Sequence, residues 1–186
     1  IGILQGEGDI RVGGIEVENG NLPLIRANVG FVFQNPDDQL FSPTVYEDVA
    51  FGPLHMGFSE EIVQGKVEQA LELVGMGKYS SRLSHHLSMG EKKRIAIATV
   101  LSMEPEILLL DEPTAGLDPR SRRNLIQLLE KLSQSMLVAT HDLLMVRELF
   151  PRIIILDGGT IVADGMTKEI LHDKELIESH GLEMPK

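Results

Sequence analysis

An α/β fold with a parallel core sheet and a small helical subdomain is predicted by three features of the 186-residue sequence. The runs VGFVFQ (29–34), EILLLD (106–111) and MLVAT (136–140) are short and apolar throughout rather than alternating, as strands covered on both faces are. Segments with apolar residues at helical spacing separate them, the alternation that builds a layered α/β domain. Each run also ends in a reactive polar group: Gln34, Asp111 with Glu112, and His141. In an open α/β sheet, ligands collect beyond the carboxyl ends of the strands.

Taken in order, IRVGGIEV (10–17) is a period-two stretch interrupted by Gly13 and Gly14, which predicts a hairpin. The strand from Val29 delivers Gln34 at its end, and NPDDQLFSPT follows as a polar, proline-bearing loop. From Val45 to Tyr79 the pattern turns helical. It is clearest over Ser59 to Val74, with Ser59 as cap and Ile62, Ala70, Leu73 and Val74 contributing to one stripe. Gly90 to Met103 predicts a largely buried helix capped by Ser88. Pro119 opens another over RSRRNLIQLLEKL, favoured by proline in a first turn. His141 and Asp142 lie where the strand MLVAT meets the helix LLMVREL, and RIIILDGG with TIVADG predicts a last hairpin. Internal repeats and low-complexity tracts are absent from the sequence.

Composition narrows the function. Apolar residues make up 42% of the chain, enough for one substantial core. Lys and Arg number 17 against 28 acids, a formal charge of −11, so no global positive field draws nucleic acid. There is no cysteine, hence no disulfide and no thiolate nucleophile. The longest apolar runs, such as Ile107 to Leu110, are far too short to span a bilayer, which predicts a soluble, cytoplasmic chain that meets a membrane only through a partner. Residue 1 is Ile inside an apolar triplet, with no initiator Met, and the chain reads as a fragment.

Asp111, directly after ILLL, has the placement of a magnesium-organising carboxylate at the end of a buried strand. Glu112, one residue on, can face a water beside a terminal phosphate. Alone, an acid pair, an amide or an imidazole at a strand end is common surface chemistry; their joint placement is what carries information. In LSHHLSMGEKKR (83–94), Ser88 and Gly90 sit where unpaired N–H groups and the helix dipole make an anion site. Lys92, Lys93 and Arg94 read either as a local basic cluster or as solvated charges balancing nearby acids.

These residues resemble the ATP-binding subunits of ABC transporters. LSMGEKKR looks like the family signature, ILLLDE the Walker B strand with its catalytic glutamate, TAGLD the D-loop, ATHD the switch histidine and FVFQN the glutamine loop. The stretch NPDDQLFSPTVYEDVAFGP and the C-terminal IIILDGGTIVADG with GLEMPK are similar to the energy-coupling-factor group of cobalt, nickel and vitamin importers. The resemblance implies MgATP as the cofactor pair and assigns roles by position. Gln34 touches magnesium and the attacking water, Asp111 holds magnesium through water, Glu112 is the general base and His141 contacts the terminal phosphate. Ser88 and Gly90 bind the phosphate held by a second ABC subunit, and Asp118 links the two sites. It also implies a transmembrane coupling protein as partner, no nucleic acid, and a peripheral position on the cytoplasmic face of the membrane. Residues 1–44 then form part of the nucleotide-binding core with the glutamine loop, 45–87 a helical subdomain, 88–165 the remaining core and 166–186 a helical tail.

Four departures qualify the resemblance. Met89 stands where the family usually has glycine, and Glu91, common as glutamine, brings negative charge toward the anion site. The 186 residues contain no GxxxxGK[ST], the phosphate cradle of P-loop proteins, nor the aromatic residue that family members place against adenine. The expectation is therefore a P-loop NTPase-like ABC ATPase domain truncated at its N-terminus, binding ATP weakly or not at all in its own site. Competing expectations are an ATPase of another ABC transporter class and a non-catalytic interaction module of ABC descent. A chromosome-maintenance ATPase is disfavoured, because the stretch between Gln34 and Ser88 is too short for a long coiled coil and shows no sustained heptad.

Overall fold

The computed structural model describes residues 8–182. The apolar triplet at Ile1 and residues 183–186 of the C-terminal stretch lie outside the described residues. The chain opens with a hairpin of β1 (Arg11–Val12) and β2 (Ile15–Glu16), turning through Gly13 and Gly14 at φ +57° and +81°. Both central positions of such a turn need positive φ, which glycine adopts without steric cost. Helix α1 (Leu22–Asn28), with Pro23 in its first turn, runs straight into β3 (Val29–Val32). The residue pattern alone predicts no element over this short helix, which buries only Ile25.

Strands β3, β4 (Ile107–Asp111) and β5 (Ser135–Ala139) form a three-stranded parallel sheet in that order. The register pairs Val32 with Leu110, and Asp111 with Ala139. Because all three strands run the same way, their carboxyl ends share one edge. Gln34, Glu112 and His141 therefore leave the sheet side by side.

One face of the sheet is packed by helices. Leu108 and Leu110 of β4 are buried with Val32, Ile95, Ala98 and Leu125 in the main core, each large side chain worth roughly 2 kcal/mol of burial. Helix α4 (Met89–Leu101) lies so close to β3 that a Cβ on Gly30 would fall 1.9 Å from Val100 Cγ1. Only glycine permits that approach. On the other face Phe31 and Leu137 are exposed, and Phe31 meets Phe33 edge-on at 4.8 Å.

Helices α2 (Val45–His55) and α3 (Glu60–Leu73) occupy the segment expected to be a helical subdomain, and both pack on α4. Thr44 and Glu47 start α2 with a reciprocal capping box, whereas Ser59 precedes α3 without a side-chain cap bond. Asp48 is buried at 3% exposure. It accepts from the N–H groups of Phe41 (3.0 Å) and Ser42 (2.8 Å) and from the Ser84 hydroxyl (2.6 Å), fixing the loop that follows Gln34.

Helix α5 (Pro119–Lys131) joins β4 to β5, and α6 (Leu143–Leu149) follows β5. The last hairpin, β6 (Arg152–Asp157) with β7 (Thr160–Met166), leads into the short helices α7 (Thr167–Ile170) and α8 (Lys174–Ser179). Leu143, Val146, Ile153, Ile155, Leu171 and Ile177 make a second, smaller core beneath this hairpin. Among the described residues, no helix is long and apolar enough to cross a membrane.

Candidate functional site at the carboxyl edge of the sheet

Glu112 is the centre of the site. It follows β4 at φ +41°, a left-handed conformation unfavourable for a residue with a Cβ. Its own N–H donates to Ala139 O at 2.9 Å, and its carbonyl accepts from Ala115 N–H at 3.1 Å. The side chain, 18% exposed, reaches across to the end of β5. There Oε2 accepts from the Thr140 hydroxyl at 3.0 Å and Oε1 from the His141 N–H at 3.0 Å, while His141 Nδ1 lies 2.7 Å from Oε1. A carboxylate and an imidazole so paired can hold or pass a proton between Oε1 and Nδ1. The His141 ring is otherwise open to solvent.

Gln34 is exposed just beyond β3, one strand away from Glu112. What connects them is Lys93, on α4. It is 4% exposed, and its Nζ donates to Gln34 O at 3.2 Å and to Glu112 O at 2.9 Å. Burial pushes its ammonium below the ordinary lysine range, opposed by the nearby Glu112 and Asp111 charges. The three consecutive bases, read together from sequence, thus have three different partners. Lys92 pairs with Asp37 at 2.6 Å, and Arg94 donates to the carbonyls of Gly90 and Val74. The sequence signal for Lys93 was its position: Ile97 and Val100, four and seven residues on, place it on a buried face of α4.

Asp142, also missed as a functional position, caps α6 and gathers two further segments. Its carboxylate accepts two bonds from Arg122 of α5 (2.7 and 2.9 Å), one from the Thr114 hydroxyl (2.9 Å) and one from Met145 N–H (3.0 Å). Burial alone would raise its pKa, but the Arg122 guanidinium, the Met145 N–H and the Thr114 hydroxyl overcome that and hold it at about 2. The segment carrying His141 is thereby tied to the residues after Glu112.

Ser88, Gly90 and Asp118 form a second cluster. Ser88 caps α4 by accepting from Glu91 N–H, and Glu91 Oε2 in return takes both the Ser88 N–H and the Ser88 hydroxyl, each at 2.8 Å. The Tyr79 hydroxyl donates to Glu91 Oε1 at 2.8 Å. The Ser88 N–H above all holds the Glu91 carboxyl below its usual range against the opposing effect of burial, with Tyr79 contributing. Its negative charge is therefore absorbed by the helix start. Asp118 caps α5, accepting from the N–H groups of Arg120 and Ser121 and from the Ser121 hydroxyl. A Cβ on Gly90 would fall 2.8 Å from that Ser121 Oγ, so the glycine is what lets the starts of α4 and α5 meet.

Asp111 is half-buried at the end of β4, beside the Gln34 strand. Among the described residues, no group of three or more His, Asp or Glu is placed to cage a metal. Magnesium takes one or two protein oxygens and completes its octahedron with water and phosphate. Asp111 and the Gln34 amide are oxygen donors of that kind.

Residues 2–115 match the ABC transporter family. A Gloeobacter violaceus protein named "Putative ABC transporter ATP-binding protein" is 55% identical over 185 residues, covering 98% of this chain and 76% of that protein. The energy-coupling factor transporter ATP-binding protein EcfA of Methanothermobacter thermautotrophicus is 46% identical over 191 aligned residues, covering 100% of this chain and 61% of its own length. Among solved structures, cbiO1 from Clostridium perfringens, described as part of the ABC transporter complex cbiONQ, superposes with a TM-score of 0.84 at 37% identity, over 96% of this chain and 74% of that one. The expectation of an α/β fold cut short on its N-terminal side is corrected by these matches. The family match begins at residue 2, and the shared α/β fold with its parallel core sheet extends through nearly all of the chain. That expectation rested on one missing string, whereas the fold is specified by the strands and helices along the whole length.

Proposed function

The chain belongs to the ABC transporter family as an ATP-binding and ATP-hydrolysing subunit, and we propose that it energises an energy-coupling-factor importer of cobalt, nickel or a vitamin. The names of its relatives support the importer class: EcfA belongs to an energy-coupling factor transporter and cbiO1 to the cbiONQ complex. The observation that carries the mechanism is the Glu112 carboxylate just after β4, bonded to Thr140 and His141 just after β5, with Gln34 just beyond β3 on its other side.

In this reading Asp111, through water, and Gln34 hold magnesium, which when bound with ATP neutralises charge across the phosphates. Glu112 orients the attacking water and accepts its proton. With Nδ1 committed to Glu112, His141 offers Nε2 to the terminal phosphate. Ser88 and the backbone at Gly90 serve the nucleotide of a second ABC subunit, identical or not. To donate there, the Ser88 hydroxyl has to leave Glu91 Oε2. Asp118 links the two sites across that pair. Residues 45–87 and the loop after Gln34, with exposed Phe41, Phe51 and Leu54, receive a transmembrane coupling protein, which puts the subunit at the cytoplasmic face of the membrane. The test is Glu112→Gln in the assembled transporter: MgATP turnover falls while nucleotide-dependent pairing of the ATPase subunits persists, and unchanged turnover removes Glu112 from its role.

A further inference from the structure

We propose that Lys93 is a positioning residue, which sets the backbone at Gln34 and at Glu112 and makes the start of α4 move with both. The proposal rests on the ATPase reading above but assigns Lys93 no contact with nucleotide. Its ammonium is almost fully enclosed, and its two acceptors are the carbonyls that follow two adjacent strands of the sheet, at 3.2 and 2.9 Å. A lysine kept only to solubilise a helix would turn outward, as its long stem allows. A lysine kept only to neutralise an acid would meet a carboxylate oxygen. Lys93 meets main-chain oxygens instead, so what it controls is where the backbone lies.

Two features make that control consequential. Glu112 sits at φ +41°, a conformation that persists only when its surroundings over-determine it. The Lys93 bond to Glu112 O is one of three backbone bonds that do so, with Ala139 O and Ala115 N–H. On the other side, the Gln34 loop is fastened to the same helix a second time. Gln39 Nε2 donates to Ala96 O and to Thr99 Oγ1, each at 2.8 Å, while Gln39 Oε1 accepts from Phe33 N–H at 3.1 Å. Helix α4 carries Ser88 and Gly90 at its start, the residues proposed to meet the partner subunit's nucleotide. A change at Gln34 or Glu112 on one nucleotide is thus passed through Lys93 to the end of the helix that faces the other.

The experiment compares native protein, Lys93→Met and Lys93→Gln in the assembled transporter, with MgATP as the only nucleotide. Lys93→Met keeps the apolar stem and removes the donors; Lys93→Gln restores an amide donor. The expected result is a fall in kcat of about 100-fold for Lys93→Met with KM within about threefold, since a misplacement of about 1 Å at a reacting group has that effect. Lys93→Gln recovers at least tenfold of the loss. Without nucleotide, hydrogen exchange in peptides spanning 29–35 and 108–115 becomes faster in Lys93→Met, while the melting temperature of the assembly changes little. A kcat within twofold of native overturns the proposal. So does failure of both variants to fold or assemble, or a loss that Lys93→Gln does not relieve, because either makes Lys93 a structural residue. If the native assembly itself hydrolyses no MgATP, the ATPase reading fails instead, and exchange in the two peptides still reports on Lys93.

Discussion

Replacing Arg122 by Met would remove the guanidinium that grips Asp142 while retaining most of the side-chain volume. Both groups are mostly enclosed, with side-chain exposures of 22% and 16%, so their pairing is less screened than a surface ion pair. Asp142 binds its proton at about 2 in the fold against an ordinary value of 3.8. That difference corresponds to roughly 2–3 kcal/mol of stability near neutral pH. Thr114 and Met145 N–H remain as partners in the variant, so the expected loss is roughly 1–3 kcal/mol at pH 7, or about 2–10 °C in melting temperature for a chain of this size. Because the folded pKa is depressed, the contribution is fully present above pH 3.8 and is lost as pH falls through about 2. Urea unfolding of the native and Arg122→Met proteins at pH 7, 5 and 3 measures it. The gap between them should be constant from pH 7 to 5 and begin to close at pH 3. A gap below 0.5 kcal/mol at pH 7, or one that widens in acid, would refute the assignment of that stability to the Arg122–Asp142 clamp.

Gly90→Ala drives a methyl group to within 2.8–2.9 Å of Ser121 Oγ and Cβ; thermal unfolding should show a loss of about 1–3 kcal/mol, and adding Ser121→Gly should recover part of it. Asp48→Ala leaves the N–H groups of Phe41 and Ser42 and the Ser84 hydroxyl without their shared acceptor. Urea unfolding should register a cost of about 1–3 kcal/mol, accompanied by faster hydrogen exchange at residues 41 and 42.

The sheet was legible in the sequence because each of its strands is an apolar run ending in a polar group, and that signal depends only on local residues. The helices beginning at Ser88 and Pro119 were legible for a similar reason, since a cap or a first-turn proline marks each start. Helix α1 was not, because LPLIRAN is too short to display a period and has only Ile25 buried. The meeting of Glu112 with His141 could be anticipated from neighbouring strand ends. Its detail could not: the hydroxyl and N–H that hold the carboxylate come from Thr140 and His141 through the β4–β5 register. Lys93 and Asp142 escaped for one physical cause. The spacing to Ile97 and Val100 could place Lys93 on the buried face of α4, but nothing local encodes the Gln34 and Glu112 carbonyls it meets there, nor the Arg122 that Asp142 meets.

The most direct test of the central claim, that these strand ends act on one ATP, is phosphate release from MgATP by the assembled transporter, native and Glu112→Gln side by side. Removing the water-orienting carboxylate should slow release by at least about 100-fold while ATP still brings the two ATPase subunits together. Equal rates in the two preparations would contradict the account.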